Sequence, residues 1–186
     1  MKRNTFPQIM KSTAALTGSA TILLLCLHRC FPQGWIFSAA ISTGTTFYHF
    51  AMRLLAGWIV PRFFRNASQH QSSWFRPRPF EPALHAALKV KKWKDHMPTY
   101  DPASFSLKDN TLEQIIRASC VSEAVHEVIV LFSFIPILFS RFWGALPVFV
   151  ITSLMAALFD CCFILMQRYN RPRLVRILSK KEAKTL

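Results

Sequence analysis

Three ionisable residues, Glu123, His126 and Glu127, lie within the apolar run RASCVSEAVHEVIVLFSFIPILFS at positions 117–140. A helix brings positions three and four apart onto one face, so Glu123 stands beside both His126 and Glu127. Ionisable groups inside a membrane-length segment are costly and mark a functional site by default. A histidine can take the proton from a hydroxyl while a neighbouring carboxylate orients its ring and stabilises the imidazolium. His126 is therefore the candidate general base, with Glu123 or Asp160 as its partner. No Ser or Cys elbow accompanies them, which points to direct transfer from an activated donor without a covalent enzyme intermediate.

Positioning this chemistry falls to four apolar runs, at residues 12–31, 35–60, 118–140 and 142–166. Each has roughly the 20 residues needed to cross a bilayer as a helix. The sequence thus predicts an all-α polytopic membrane protein with four transmembrane helices, forming a single integral membrane domain over residues 1–186. Residues 62–117 form an interfacial cytoplasmic segment between the second and third helices, and residues 168–186 a basic tail. The first run reads as a retained signal-anchor, because His28, Arg29 and Cys30 interrupt any cleavage region and a second span follows.

The net charge is +14. Ten Lys or Arg lie between Arg62 and Arg117 and seven between Arg168 and Lys184, whereas the two short connections hold only Arg141. That is the positive-inside asymmetry of a multi-pass cell-membrane protein with both termini in the cytoplasm. No stacking or RNA-binding signature accompanies the charge, which excludes nucleic acid as a partner. The five cysteines show no zinc spacing and read as reduced, buried, small apolar residues. No metal and no resident cofactor is expected.

Arg53 lies nine residues before Arg62, Asp160 eight before Arg168, and His126 nine past Arg117. At about 1.5 Å per residue all three sit roughly 12–13 Å deep. A converging cluster would satisfy charges that are expensive singly, and it would act either in catalysis or as an ion-pair network holding the bundle.

Between the second and third runs, Trp74-Phe75-Arg76-Pro77-Arg78-Pro79 enforces extended backbone, and a short interfacial helix is expected over residues 82–94. His96 and Asp101 reproduce the His-x4-Asp spacing of one acyltransferase class, without its glycine-rich phosphate loops, and make His96 the alternative base. Asn110 and Glu113 form a capping box for the next helix. Pro172 should end the last span near Asn170 and turn the following arginines along the membrane surface.

Phe80-Glu81, then Val90-Lys91-Lys92-Trp93-Lys94-Asp95 with Pro98, then Glu123-x-x-His126, then Gln167-Arg168-Tyr169-Asn170-Arg171-Pro172-Arg173-Leu174 resemble the glycosyl-4,4'-diaponeurosporenoate acyltransferase family of staphyloxanthin-type carotenoid synthesis. The likeness extends over about residues 74–178. It implies a membrane enzyme that esterifies a sugar hydroxyl of a glycosylated C30 carotenoid acid, or a related glycolipid, with a fatty acyl group. An acyl thioester such as acyl-coenzyme A is the expected donor. Candidate substrate-binding residues are Arg53, Lys91, Lys92, Trp93, Lys94, Arg168, Asn170, Arg171 and Arg173, the basic blocks forming one phosphate site through lysine charges and arginine forks. Two other classes remain open: a non-catalytic lipid-binding or scaffold subunit, and a metal-dependent enzyme using Glu-x-x-His, of which a di-iron site would need a second copy.

Overall fold

The computed structural model describes residues 5–64 and 72–184. Among these residues the chain is all-helical, with no strand. Seven α-helices follow in order: α1 (Phe6–Cys30), α2 (Gly34–Phe63), α3 (Glu81–Ala87), α4 (Val90–Trp93), α5 (Leu112–Phe132), α6 (Ile135–Trp143) and α7 (Leu146–Glu182). Three stretches are long and apolar enough to cross a membrane: α1, α5 with α6, and α7. At 30 residues α2 is also long enough, but its hydroxyl residues, His49 and Arg53 dilute its apolar character.

Several helix ends differ from the sequence expectation. The box that starts α5 is built by Thr111 and Gln114, not Asn110 and Glu113: the Thr111 N–H donates to Gln114 Oε1 at 2.8 Å and the Gln114 N–H to Thr111 Oγ1 at 3.3 Å. Asn110 instead pins the preceding loop by donating to the Ala103 and Ser106 carbonyls. The expected 82–94 helix is split by Lys89, whose φ of 50° places it in the left-handed region between α3 and α4. Nor does α7 end near Asn170; it runs through Pro172 to Glu182. A proline removes one backbone bond, and the side chains of Arg168 and Arg171 tie this turn to its surroundings by ion pairs.

The chain divides into two compact units. The first contains Met1–Trp58 and Val128–Asp160. Here α1 and α2 approach closely through small residues: a Cβ on Gly18 would sit 3.0 Å from the Phe47 ring, and one on Gly44 3.2 Å from the Thr21 methyl. Thr21 Oγ1 donates to the Thr17 carbonyl at 2.7 Å and lies 3.0 Å from Thr43 Oγ1 on the facing helix. Small residues and hydroxyl bridges are how helices associate where lipid offers no hydrophobic driving force between them.

The break between α5 and α6 has a local cause. Pro136 has no N–H to give the carbonyl four residues earlier, that of Phe132. The Tyr48 hydroxyl donates to that carbonyl at 2.8 Å. Beside it lies an apolar cavity of about 320 Å³ lined by Phe37, Tyr48, Pro136 and Phe149 among others. Its hydroxyls are internally satisfied, Thr45 donating to the Ile41 carbonyl as Tyr48 does to Phe132. Such a lining suits a hydrocarbon chain. Tyr48→Phe is expected to lower stability by about 1–3 kcal/mol, the cost of orphaning an acceptor away from water. Thermal unfolding in detergent measures this, and an unchanged midpoint would show that the bond contributes nothing.

The second unit contains Ile59–Glu127 and Cys161–Leu186. Its apolar core is formed by Phe75, Val90, Ile115, Ile116, Cys120, Ala124 and Phe163.

Candidate functional site

In the second unit α5 and α7 run antiparallel, joined by contacts that step along both helices a turn at a time. Arg171 Nε donates to Ser119 Oγ at 3.4 Å. Gln167 Nε2 donates to Ser122 Oγ at 3.2 Å, and Arg168 Nε lies 2.7 Å from Glu123 Oε1. One turn further, the His126 ring stacks on Phe163 with centroids 4.3 Å apart and planes 2° from parallel.

Glu123, with 0% of its side chain exposed, is the hub of this ladder. Its other carboxylate oxygen pairs with Arg171, itself only 3% exposed. Arg168 also reaches Glu81 Oε1 at 2.6 Å and donates to the Trp74 carbonyl at 2.9 Å. Arg171 donates to the Phe75 carbonyl at 3.2 Å, and its guanidinium lies 5.1 Å from the centre of the Phe75 ring. Trp74 Nε1 donates to Glu127 Oε2 at 2.9 Å. Two buried carboxylates therefore meet two arginines, and residues 74–75 supply carbonyls for the remaining guanidinium donors. These two residues form a hydrogen-bonded turn, closed by the Phe75 N–H on the Ser72 carbonyl, rather than the extended backbone expected there. Buried charges survive only when paired and hydrogen-bonded in this way.

The structure thus brings Glu123, Arg168 and Arg171 together, and it adds Glu81, Trp74, Gln167 and the serines Ser119 and Ser122, which the sequence reading did not assign to a site. The available signal for Glu81 was its place in the Phe80-Glu81 pair, one of the blocks that carry the family resemblance. Both Glu123 oxygens are engaged by arginines, so its charge serves the ion-pair hub first.

The other candidates are placed as follows. Arg53 and Asp160 form an ion pair in the first unit, where Arg53 also donates to the carbonyls of His49 at 2.9 Å and Ala156 at 3.2 Å. Lys91 and Lys92 are exposed. Trp93 turns its Nε1 back to the Leu88 carbonyl at 3.0 Å. The Arg173 guanidinium packs over the Tyr169 ring at 3.6 Å, and Tyr169 meets His85 edge-on at 5.4 Å. Burial lowers the pKa of His85, with Glu81 opposing that shift and Arg173 and Arg168 adding to it. Asp101 accepts from Ser104 Oγ at 2.5 Å, and His96 is exposed.

Lys94 and Asn170, from the two blocks singled out in the sequence, line one cavity of about 310 Å³ together with Asp95, Thr99, Phe105 and Gln167. Gln167 connects this cavity to the ladder, since its amide is the group bound to Ser122. His126 is four residues beyond Ser122, so its ring lies roughly 6 Å further along the helix axis.

Comparison with known families decides what this arrangement belongs to. Residues 71–180 match the family described as CrtO, glycosyl-4,4'-diaponeurosporenoate acyltransferase. The chain belongs to that family. The matched region contains α3 to α6, nearly all of α7, the Glu123 hub, His126 and the Lys94–Asn170 cavity. No protein of curated function and no solved structure matches the chain. Membership makes the chain an O-acyltransferase of carotenoid biosynthesis, with an acyl donor and an acceptor as its partners. Its long apolar helices are those of a membrane protein. Among the described residues no group of three or more His, Cys, Asp or Glu could hold a metal ion.

Proposed function

We propose that this acyltransferase moves a fatty acyl group from an acyl thioester to a sugar hydroxyl of a glycosylated carotenoid acid. His126 accepts the hydroxyl proton, the hydroxyl oxygen attacks the thioester carbonyl, and the thiol departs with the proton that the imidazolium returns. The oxygen–carbonyl bond forms as the carbon–sulfur bond breaks. What carries this reading is the ladder in which Gln167, a wall of the Lys94–Asn170 cavity, stands one turn from the His126–Phe163 stack. The apolar cavity of the first unit supports a lipid substrate. Exposed Lys91 and Lys92 supply positive charge for the phosphates of a donor such as acyl-coenzyme A, while Arg53 and Asp160 balance one another in the first unit.

Purified protein in liposomes, given acyl-coenzyme A and a glycosylated carotenoid acid, should form ester without any other protein. Absence of ester there, with activity restored by a membrane extract, would favour a subunit that needs a catalytic partner.

Four spans, with α2 as the fourth, and both termini on the cytoplasmic side follow from the lysine and arginine asymmetry. Acyl thioesters are then available to the 62–117 segment. A reporter fused after Leu186, which lies outside the described residues, is expected to be active only in the cytoplasm. Activity confined to the outer face would reverse the orientation.

A further inference from the structure

We infer that the Lys94–Asn170 cavity receives the sugar ring of the acceptor rather than the phosphates of the donor. This assignment rests on the acyltransfer reading above and gives one of its substrates a place. Charge is the first argument. Among the residues that line the cavity, Lys94 and Asp95 are the charged pair, and Lys94 Nζ lies 2.5 Å from Asp95 Oδ1. The neighbouring arginines are engaged, Arg168 and Arg171 by Glu81 and Glu123 and Arg173 by the Tyr169 ring. A polyphosphate needs uncompensated cations or a nest of N–H groups. The cavity wall offers a balanced pair instead.

A sugar needs something different. Each hydroxyl both donates and accepts, so it pairs with a carboxylate or with an amide that presents both functions. Asp95, Gln167 and Asn170 provide these groups, and Phe105 with Met97 and Met166 provides apolar surface for the C–H face of a ring. Gln167 spends one amide proton on Ser122 and has a second N–H and an oxygen for a hydroxyl to meet. The volume, about 310 Å³, stands at the lower end of the 300–1,000 Å³ typical of ligand pockets. That is room for one sugar ring. A ring seated against Gln167 also lies about one helical turn from His126, and a sugar ring is itself about that wide, so one of its hydroxyls can come within the roughly 3 Å at which a base takes a proton.

The test uses the full chain in a sugar-free detergent and an alkyl glucoside bearing a photoreactive diazirine, with labelled peptides read by mass spectrometry. Label is expected within residues 94–105 and 166–170, displaced by unlabelled alkyl glucoside and not by coenzyme A. Asp95→Asn and Asn170→Ala should each weaken labelling about tenfold, the effect of losing one good hydrogen bond. His126→Phe should retain labelling, so the site is read even if the catalytic assignment fails. In liposomes the same two cavity variants should raise the acceptor KM and leave the donor KM unchanged. Displacement by coenzyme A, a rise in donor KM, or labelling that ignores both substitutions would overturn the assignment.

Discussion

His126→Phe is expected to reduce ester formation by a factor of about 10²–10⁴, the usual contribution of a positioned general base. The choice of phenylalanine matters. His126 stacks face to face on Phe163, so alanine would remove both a proton acceptor and a packing partner. A phenyl ring keeps the stack and removes only the nitrogens. Protein yield and unfolding midpoint should therefore fall less than in His126→Ala while turnover drops, with both KM values little changed. His126→Ala should lose activity to the same degree and some stability besides. If His126→Phe turns over at the parental rate, the base is another group, and exposed His96 is the next to replace. Retained activity in both variants would leave the ladder as a purely structural seam.

Much of this site was legible because the relevant residues are expensive where they stand. Glu123 and His126 announced themselves as ionisable groups in an apolar run, and the basic blocks around Lys94 and Asn170 were specific enough to indicate the family over a region that contains the hub. What the sequence could not supply was pairing. Arg168 and Arg171 read as phosphate ligands because a juxtamembrane arginine carries no mark of whether it faces solvent or core. Their partners, Glu81 and the carbonyls of Trp74 and Phe75, come from a segment some 90 residues away that local periodicity cannot place. The fold shows the same division. The apolar runs at residues 12–31, 118–140 and 142–166 fall on long apolar helices, whereas their ends move with side-chain detail: Thr111 and Gln114 cap α5, and Pro172 sits inside α7. A proline signals a break only when nothing else holds the turn.

Replacing Glu123 by alanine should destabilise the protein by about 3–5 kcal/mol, because it leaves two arginines facing a buried site with one counter-charge removed. Glu81 can compensate Arg168, whose guanidinium it already meets, but Arg171 has Glu123 as its carboxylate partner. Glu123→Gln keeps the shape and loses the charge, so it should be nearly as damaging. The double replacement Glu123→Gln with Arg171→Met removes both charges together. It should recover a large part of the loss, since a buried ion pair exchanged for well-packed neutral groups is often neutral in stability. Unfolding of the parent, Glu123→Gln, Arg171→Met and the double variant in detergent gives the coupling energy of the pair directly. Arg171→Lys separates the two roles that this residue has been given. At a donor-phosphate site, lysine keeps the charge, and the donor KM alone rises. In the hub, one ammonium cannot serve Glu123, Ser119 Oγ and the Phe75 carbonyl at once, so stability falls while the donor KM of the folded fraction stays constant. A raised donor KM with an unchanged unfolding midpoint would return Arg171 to the donor site and leave Glu123 held by Arg168.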